Sequence, residues 1–151
     1  MADLSIAIQH TPAHRGAAGM GQGDGQAQIR REDANIPLAV VEDKKREGSW
    51  PTFLRTLQAT SGATHHLVLN DDLALCKDFV SSVRRVIRAR PFQPCSRSTL
   101  IREWRSPHGA QRESWIQNSG VEGAAVVWPR ALIAEFVSVA KVFHVRPNWC
   151  Y

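Results

Sequence analysis

Two adjacent carboxylates, Asp71 and Asp72, follow the apolar run of residues 67–69 and Asn70. An unpaired carboxylate is costly to bury, so this pair at the end of a core strand needs a neutralising partner. Oxygen ligands of this kind suit a hard divalent cation such as Mg²⁺ or Mn²⁺. Waters and phosphates complete the coordination shell of such a cation. Consecutive residues point in different directions, so one carboxylate can hold the metal while the other contacts a sugar hydroxyl. The pattern favours a site for a cation and a diphosphate.

Polar residues also follow two other predicted strands. Residues 4–8 form a β-prone run that is followed by His10 and Arg15, and residues 36–41 form a second run that is followed by Glu42-Asp43. In an open parallel sheet, ligands bind outside the carboxyl ends of the strands. One such strand end is ordinarily a solvated terminus. Three together, one of them carrying the acidic pair, favour a functional polar edge.

The predicted elements that position these residues alternate between strand and helix. Ser49 is a predicted helix N-cap before an apolar stripe with helical spacing, and a second such stripe runs from Phe79 to Ile87. Residues 123–128 form another strand, and Pro129 stands where a further helix begins. Short strands are plausible at 97–101 and 114–118, and the Gly-rich stretch 16–28 predicts a flexible loop. We therefore expect one α/β domain over residues 1–151, with a mostly parallel sheet flanked by helices.

Composition narrows the class further. With 151 residues, 43% of them hydrophobic, the chain can bury one core. No apolar run reaches the roughly 18 residues of a membrane span, and the N-terminus does not resemble a signal peptide, so we expect a cytoplasmic protein. Three cysteines without a C-x-x-C pair suggest neither a disulfide framework nor a zinc site. A net charge of +5 favours polyanionic partners such as phosphates or nucleic acid.

A family resemblance rests on the acidic segment. "HHLVLNDDLALCKDF" resembles the Asp-x-Asp (DxD) segment of GT-A-fold glycosyltransferases, particularly the small family 2-like members of bacteria and their phages. Three further stretches are supportive but less specific: "IAIQHTPAHR", "PLAVVEDKKREGSWPTFLRTLQA" and "SWIQNSGVEGAAVVWPRALIAEFV". The resemblance implies a Rossmann-like GT-A domain. It also implies transfer of a sugar from a nucleotide-diphosphate donor to an acceptor, which is a glycan, a protein or modified DNA.

The resemblance assigns roles position by position. It makes Asp72 the ligand of Mn²⁺ or Mg²⁺, Asp71 a contact of the ribose or donor sugar, and Asp43 an acceptor for the nucleobase. The remaining donor-binding residues line the nucleotide pocket or lie near its phosphates: His10, Thr11 and Arg15.

The chain departs from the family pattern at three places. Asn70 replaces an acid found in many members, and the Gly-rich loop stands where a helix usually joins the first two strands. The family also continues beyond the position of Tyr151 into a segment that often carries the general base, so the chain resembles a truncated member. No catalytic residue is assigned.

Two alternatives stay open. The chain is a non-catalytic nucleotide-sugar-binding relic, or it is a basic nucleic-acid-binding module whose surface arginines meet phosphates. Self-association is a further expectation, because a short chain with five tryptophans can cover apolar surface in a homo-oligomer. The arginines of the basic module are Arg84, Arg85, Arg88, Arg90, Arg97, Arg102 and Arg105. His65 and His66 precede the third strand and are predicted to lie in a turn or at the surface.

Overall fold

The computed structural model describes residues 3–10, 22–59, 61–71, 73–96 and 125–142. Within these residues the strands are β1 (Leu4–His10), β2 (Leu38–Glu42), β3 (His65–Asn70), β4 (Cys95–Ser96) and β5 (Ala125–Pro129). The helices are α1 (Gln22–Glu32), α2 (Ser49–Gln58), α3 (Phe79–Ala89) and α4 (Arg130–Val142). Helices and strands alternate through the first three strands, and the sequence predicts the helix between β2 and β3 but not the one between β1 and β2. The predicted strands at 97–101 and 114–118 lie outside the described residues.

The strands form one open sheet in the order β2-β1-β3-β5-β4. β1 runs parallel to both β2 and β3, whereas β5 runs antiparallel to its neighbours β3 and β4. The α/β class and the mostly parallel sheet are confirmed, and the predicted strand at residues 123–128 corresponds to the antiparallel β5. The chain leaves β1 for β2 on one side and then returns to β3 on the other, so the topology reverses between β1 and β3.

Two apolar layers cover the two faces of this sheet. On one face, alternate β1 residues Leu4, Ile6 and Ile8 pack with residues of α1 and α3, including the fully buried Ile29 and Val83. On the other face, Val68 and Val126 pack with residues of α2 and α4. The period-2 alternation along each strand divides its side chains between these layers. Among the described residues, no helix is long and apolar enough to cross a membrane.

The predicted loop at 16–28 is wrong for residues 22–28, because these residues form the first turns of α1. Tertiary contacts explain the difference. Ile29 is wholly buried, Gln28 donates to the Cys76 carbonyl at 2.7 Å, and Glu32 accepts the Val80 N–H at 2.7 Å. These contacts fix the helix against the segment leading into α3, whereas helix propensity alone disfavours its Gly-containing start. Residues 16–21 lie outside the described residues.

Candidate functional site

Backbone hydrogen bonds bring the carboxyl ends of three strands side by side. The Asp43 N–H donates to the His10 carbonyl at 2.9 Å, and the Asp71 N–H donates to the Gln9 carbonyl at 3.1 Å. Parallel pairing sets His10 opposite Glu42. The polar edge predicted from three strand ends is therefore present for the residues that the structure describes.

His10 and Asp71 form a direct side-chain pair at this edge. His10 Nδ1 and Asp71 Oδ2 are hydrogen-bonded, and the two side chains are only 9% and 16% exposed. An ionised carboxylate can only accept, so Nδ1 carries the proton in this pair. Among the described residues, His10 Nε2 has no hydrogen-bond partner. The pair thus fixes one imidazole nitrogen and leaves the other without a partner within this part of the chain.

The pair lies where the topology reverses. His10 ends β1 and Asp71 directly follows β3, the two strands that flank the reversal. Ligands of open α/β sheets bind in the crevice outside the strand ends at such a point. By strand alternation, His10 continues the row of Ile6 and Ile8, which belongs to the face covered by α1 and α3.

The backbone of Asp43 is bonded to that of His10, but the Asp43 carboxylate bonds the turn that follows β2. Its Oδ1 and Oδ2 accept the N–H groups of Glu47 and Gly48, each at 2.9 Å, and Arg55 Nη2 lies 3.6 Å from Oδ1. The residue is 3% exposed. These bonds hold the turn that enters α2, where Gly48, with φ of 98°, is the N-cap in place of the predicted Ser49. The hydrogen bonds of the Asp43 carboxylate are therefore made within this turn, whereas His10 and Asp71 bond each other.

The electrostatics of Asp43 follow from these contacts. Burial raises the pKa of the carboxyl, but the N–H groups of Glu47 and Gly48 and the nearby Arg55 charge outweigh it, so the pKa lies below its ordinary value. The carboxylate is thus kept ionised. It has a structural role in the turn, and its predicted contact with a nucleobase stays a prediction.

Gln9 is a residue of this edge that the sequence did not single out. It is 6% exposed, and its Nε2 donates to the Ser49 carbonyl at 3.0 Å, which ties the end of β1 to the start of α2. A long amide in an otherwise apolar strand is the signal that indicates such a tether, because a buried amide needs hydrogen-bond partners.

Other predicted site residues are not placed by the structure. Thr11, Arg15 and Asp72 lie outside the described residues. Within the described ranges, no group of three or more His, Cys, Asp or Glu side chains is arranged to hold a metal ion. His10 and Asp71 are described donors at this edge, and the metal-ligand role of Asp72 stays a prediction.

The prediction for His65 and His66 is wrong. Both residues belong to β3, and they are 7% and 0% exposed. His66 Nε2 donates to the Thr56 carbonyl at 2.9 Å, so its Nδ1 accepts from the Ser5 hydroxyl at 2.8 Å. Burial lowers the pKa of His66, although the bond to Thr56 partly opposes this shift. His66 is a neutral, fully bonded core residue.

Arg84 is not a free basic residue of the predicted arginine surface. Its Nε donates to both carboxylate oxygens of Asp3, at 3.2 and 3.1 Å, and its Nη2 donates to Asp33 Oδ2 at 2.7 Å. The bond to Asp33 raises the pKa of Arg84, and the same bond lowers the pKa of Asp33. Arg85 and Arg88 are exposed on the same helix, whereas Arg97, Arg102 and Arg105 lie outside the described residues.

Comparison with protein-family models, curated proteins and solved structures finds no match for this chain.

Proposed function

We propose that this chain binds a nucleotide-diphosphate sugar at the carboxyl edge of β1 and β3 and transfers the sugar to a hydroxyl of an acceptor. The observation that carries the proposal is the His10–Asp71 pair, which lies where the sheet topology reverses. This is the position at which open α/β sheets bind their ligands. A GT-A fold is part of the proposal, and the acidic segment's resemblance to the DxD glycosyltransferases supports it.

The residues of this edge divide the work of binding the donor. Asp71 uses Oδ2 for His10. Its other oxygen is the proposed acceptor for a ribose or sugar hydroxyl. Asp72 is the proposed ligand of Mn²⁺ or Mg²⁺, which when bound supplies positive charge to the diphosphate. Asp43 holds the turn beside β1 in an ionised state, and its nucleobase contact belongs to the proposal.

Helix α1 supports the proposal in a second way. The family resemblance implies a helix between the first two strands, where the Gly-rich stretch predicts a loop. The structure has α1 there, over Gln22–Glu32. The departure in the Gly-rich stretch is therefore limited to the residues that precede α1.

Nucleic-acid binding receives less support. Arg84, the first arginine of the predicted basic surface, is neutralised by Asp3 and Asp33. An arginine that is already paired with two carboxylates has less capacity to meet a phosphate. Among the described residues, the exposed Arg85 and Arg88 remain for such a role.

Calorimetric titration tests the proposal. UDP, GDP and their sugars are titrated into the chain with and without Mn²⁺, and we expect at least one nucleotide to bind with metal present. Asp71→Asn removes the charge that strengthens the proposed hydrogen bond between Asp71 and a hydroxyl of the donor. Loss of this charge-assisted bond should weaken binding of the sugar nucleotide about 10- to 100-fold. Glu135→Gln, an exposed acid of α4, is the matched control and leaves the affinity unchanged. Failure of every nucleotide to bind the wild-type chain overturns the proposal.

A further inference from the structure

We infer that His10 Nε2 is the proton acceptor that activates the acceptor hydroxyl, and that Asp71 is the residue that positions it. This inference rests on the proposed function and deepens it, because it assigns the general base that the sequence leaves unassigned. It is carried by the geometry of the His10–Asp71 pair and by the position of that pair in the sheet.

The hydrogen bond to Asp71 fixes the tautomer of His10. Asp71 Oδ2 accepts the proton of Nδ1, so the neutral ring has its lone pair on Nε2. A carboxylate that holds a histidine in this way fixes both the tautomer and the ring orientation, which is the arrangement that general-base histidines use. Within the described residues Nε2 has no partner, and it is therefore the nitrogen left for a ligand.

Backbone hydrogen bonds hold both members of the pair in place. The His10 carbonyl accepts the Asp43 N–H, and the Asp71 N–H donates to the neighbouring Gln9 carbonyl. Both partners are thus attached to hydrogen-bonded backbone at the ends of paired strands. A base held on such elements needs little reorganisation to reach its proton, which is what general-base catalysis requires.

The carboxylates of Asp43 and Glu42, at the same edge, already have partners. Asp43 uses both carboxylate oxygens on backbone N–H groups and is 3% exposed, so it does not reach a substrate hydroxyl in this arrangement. Glu42 is partly exposed and lies 4.0 Å from the Lys44 ammonium. Of the described side chains here, His10 alone combines a fixed orientation with an unpartnered nitrogen.

The proposed step transfers the sugar from the diphosphate to the acceptor hydroxyl. Nε2 takes the proton of the acceptor hydroxyl while the hydroxyl oxygen forms a bond to the anomeric carbon of the sugar. The bond between that carbon and the diphosphate oxygen breaks, and the nucleoside diphosphate leaves with the electron pair. The proton stays on Nε2 until it is released to solvent, and nothing is oxidised or reduced.

Turnover of sugar nucleotides with water as the acceptor tests the inference. UDP-glucose and GDP-mannose are the probes, the metal is Mn²⁺, and release of the nucleoside diphosphate is measured beside calorimetric affinity. His10→Gln keeps an amide that donates to Asp71 but cannot take a proton. Because general bases contribute about 10²- to 10⁴-fold, we expect kcat to fall at least about 100-fold, a larger factor than any loss of affinity for the donor, whose pocket His10 is predicted to line.

A second readout does not depend on turnover. Diethyl pyrocarbonate acylates an accessible imidazole nitrogen that carries a lone pair, and the modified residues are identified by mass spectrometry. We expect His10 to react and the bound sugar nucleotide to protect it. His66 is the internal control and stays unmodified, because its ring is buried and both nitrogens are hydrogen-bonded.

The outcomes separate the inference from the proposed function. If the wild-type chain binds no nucleotide, the proposed function fails, and the inference fails with it. If it binds and turns over the donor but His10→Gln has the same kcat, the inference is overturned and the proposed function stands. Binding without turnover, or protection of His10 by Mn²⁺ alone, also overturns the inference, the latter because it makes Nε2 a metal ligand.

Discussion

His10 and His66 occupy neighbouring parallel strands but face opposite chemical situations. His66 lies inside the sheet, is wholly buried, and has both ring nitrogens bonded, to Ser5 and to Thr56. His10 lies at the carboxyl edge, bonds a carboxylate through Nδ1, and has no partner for Nε2 among the described residues. A core histidine with both ring nitrogens hydrogen-bonded contributes stability. A histidine that is oriented by one bond and has a second nitrogen without a partner can act on a ligand.

This comparison shows why residue type alone does not reveal a site. The two rings have the same chemistry, and both are held by a specific partner. The difference lies in the second ring nitrogen. In His66 it bonds a helix carbonyl, whereas in His10, at the strand end, it has no partner among the described residues. The predictions below test whether this difference separates a structural from a functional role.

The largest stability effect is expected for His66→Leu. The substitution keeps apolar volume but removes two buried hydrogen bonds, so the free energy of unfolding should fall by about 1–3 kcal/mol. Urea denaturation measures the change. Adding Ser5→Ala, which removes one of the groups left without its partner, should recover part of the loss. A stability equal to that of the wild type would contradict the structural role of His66.

His66 also predicts how stability depends on pH. Its pKa is lowered from 6.5 by burial, so on acidification the unfolded chain takes up a proton that the folded chain refuses. This contribution is fully present above pH 6.5 and is lost as pH falls below it, by at most about 1.4 kcal/mol per pH unit. Urea denaturation between pH 7.5 and 5.5 should show the slope in the wild type. A slope that is equally steep in His66→Leu would refute the assignment.

Arg84→Met tests the ion pairs of Arg84 with Asp3 and Asp33, which, like the bonds of His66, have a structural role. The variant keeps the apolar stem but loses the bonds to Asp3 and Asp33, and we expect a loss of about 1 kcal/mol because the side chain is partly exposed. Arg85→Met, at an exposed position of the same helix, should change stability by less than about 0.5 kcal/mol. Equal effects of the two variants would show that the network contributes nothing specific.

The smallest stability effect is expected for His10→Gln. Its amide can donate to Asp71, so thermal unfolding should differ from the wild type by less than about 1 kcal/mol in free energy, the usual net contribution of one hydrogen bond. A loss as large as that of His66→Leu would remove the distinction between the two histidines.

Much of the fold is predictable from the sequence because it depends on local periodicity. The apolar stripe of α3 is an example: Phe79, Val80, Val83, Val86 and Ile87 have helical spacing, and all five are buried. The antiparallel direction of β5 was not predictable in the same way. An apolar run is compatible with either strand direction, which is set by the connection and the neighbouring strands.

The site was predictable in position but not in its internal contacts. Polar residues after three strands indicated the carboxyl edge, and the structure confirms their proximity for β1, β2 and β3. Pairing of His10 with Asp71 depends on the register of residues 61 positions apart, which no local pattern encodes. Both oxygens of Asp43 accept backbone N–H groups of the following turn, those of Glu47 and Gly48. This depends on the conformation of the turn, which the residue types do not indicate.

Binding of a nucleotide at the carboxyl edge of β1 and β3 can be mapped residue by residue with ¹⁵N-resolved NMR. UDP and GDP are each added with diamagnetic Mg²⁺, and the backbone amide shifts are followed. We expect shifts at Gln9, His10 and Asp71 for at least one nucleotide, while His66, which precedes Asp71 by five residues and about 17 Å of strand, stays unchanged. No shift with either nucleotide, or shifts centred on His66, would contradict it.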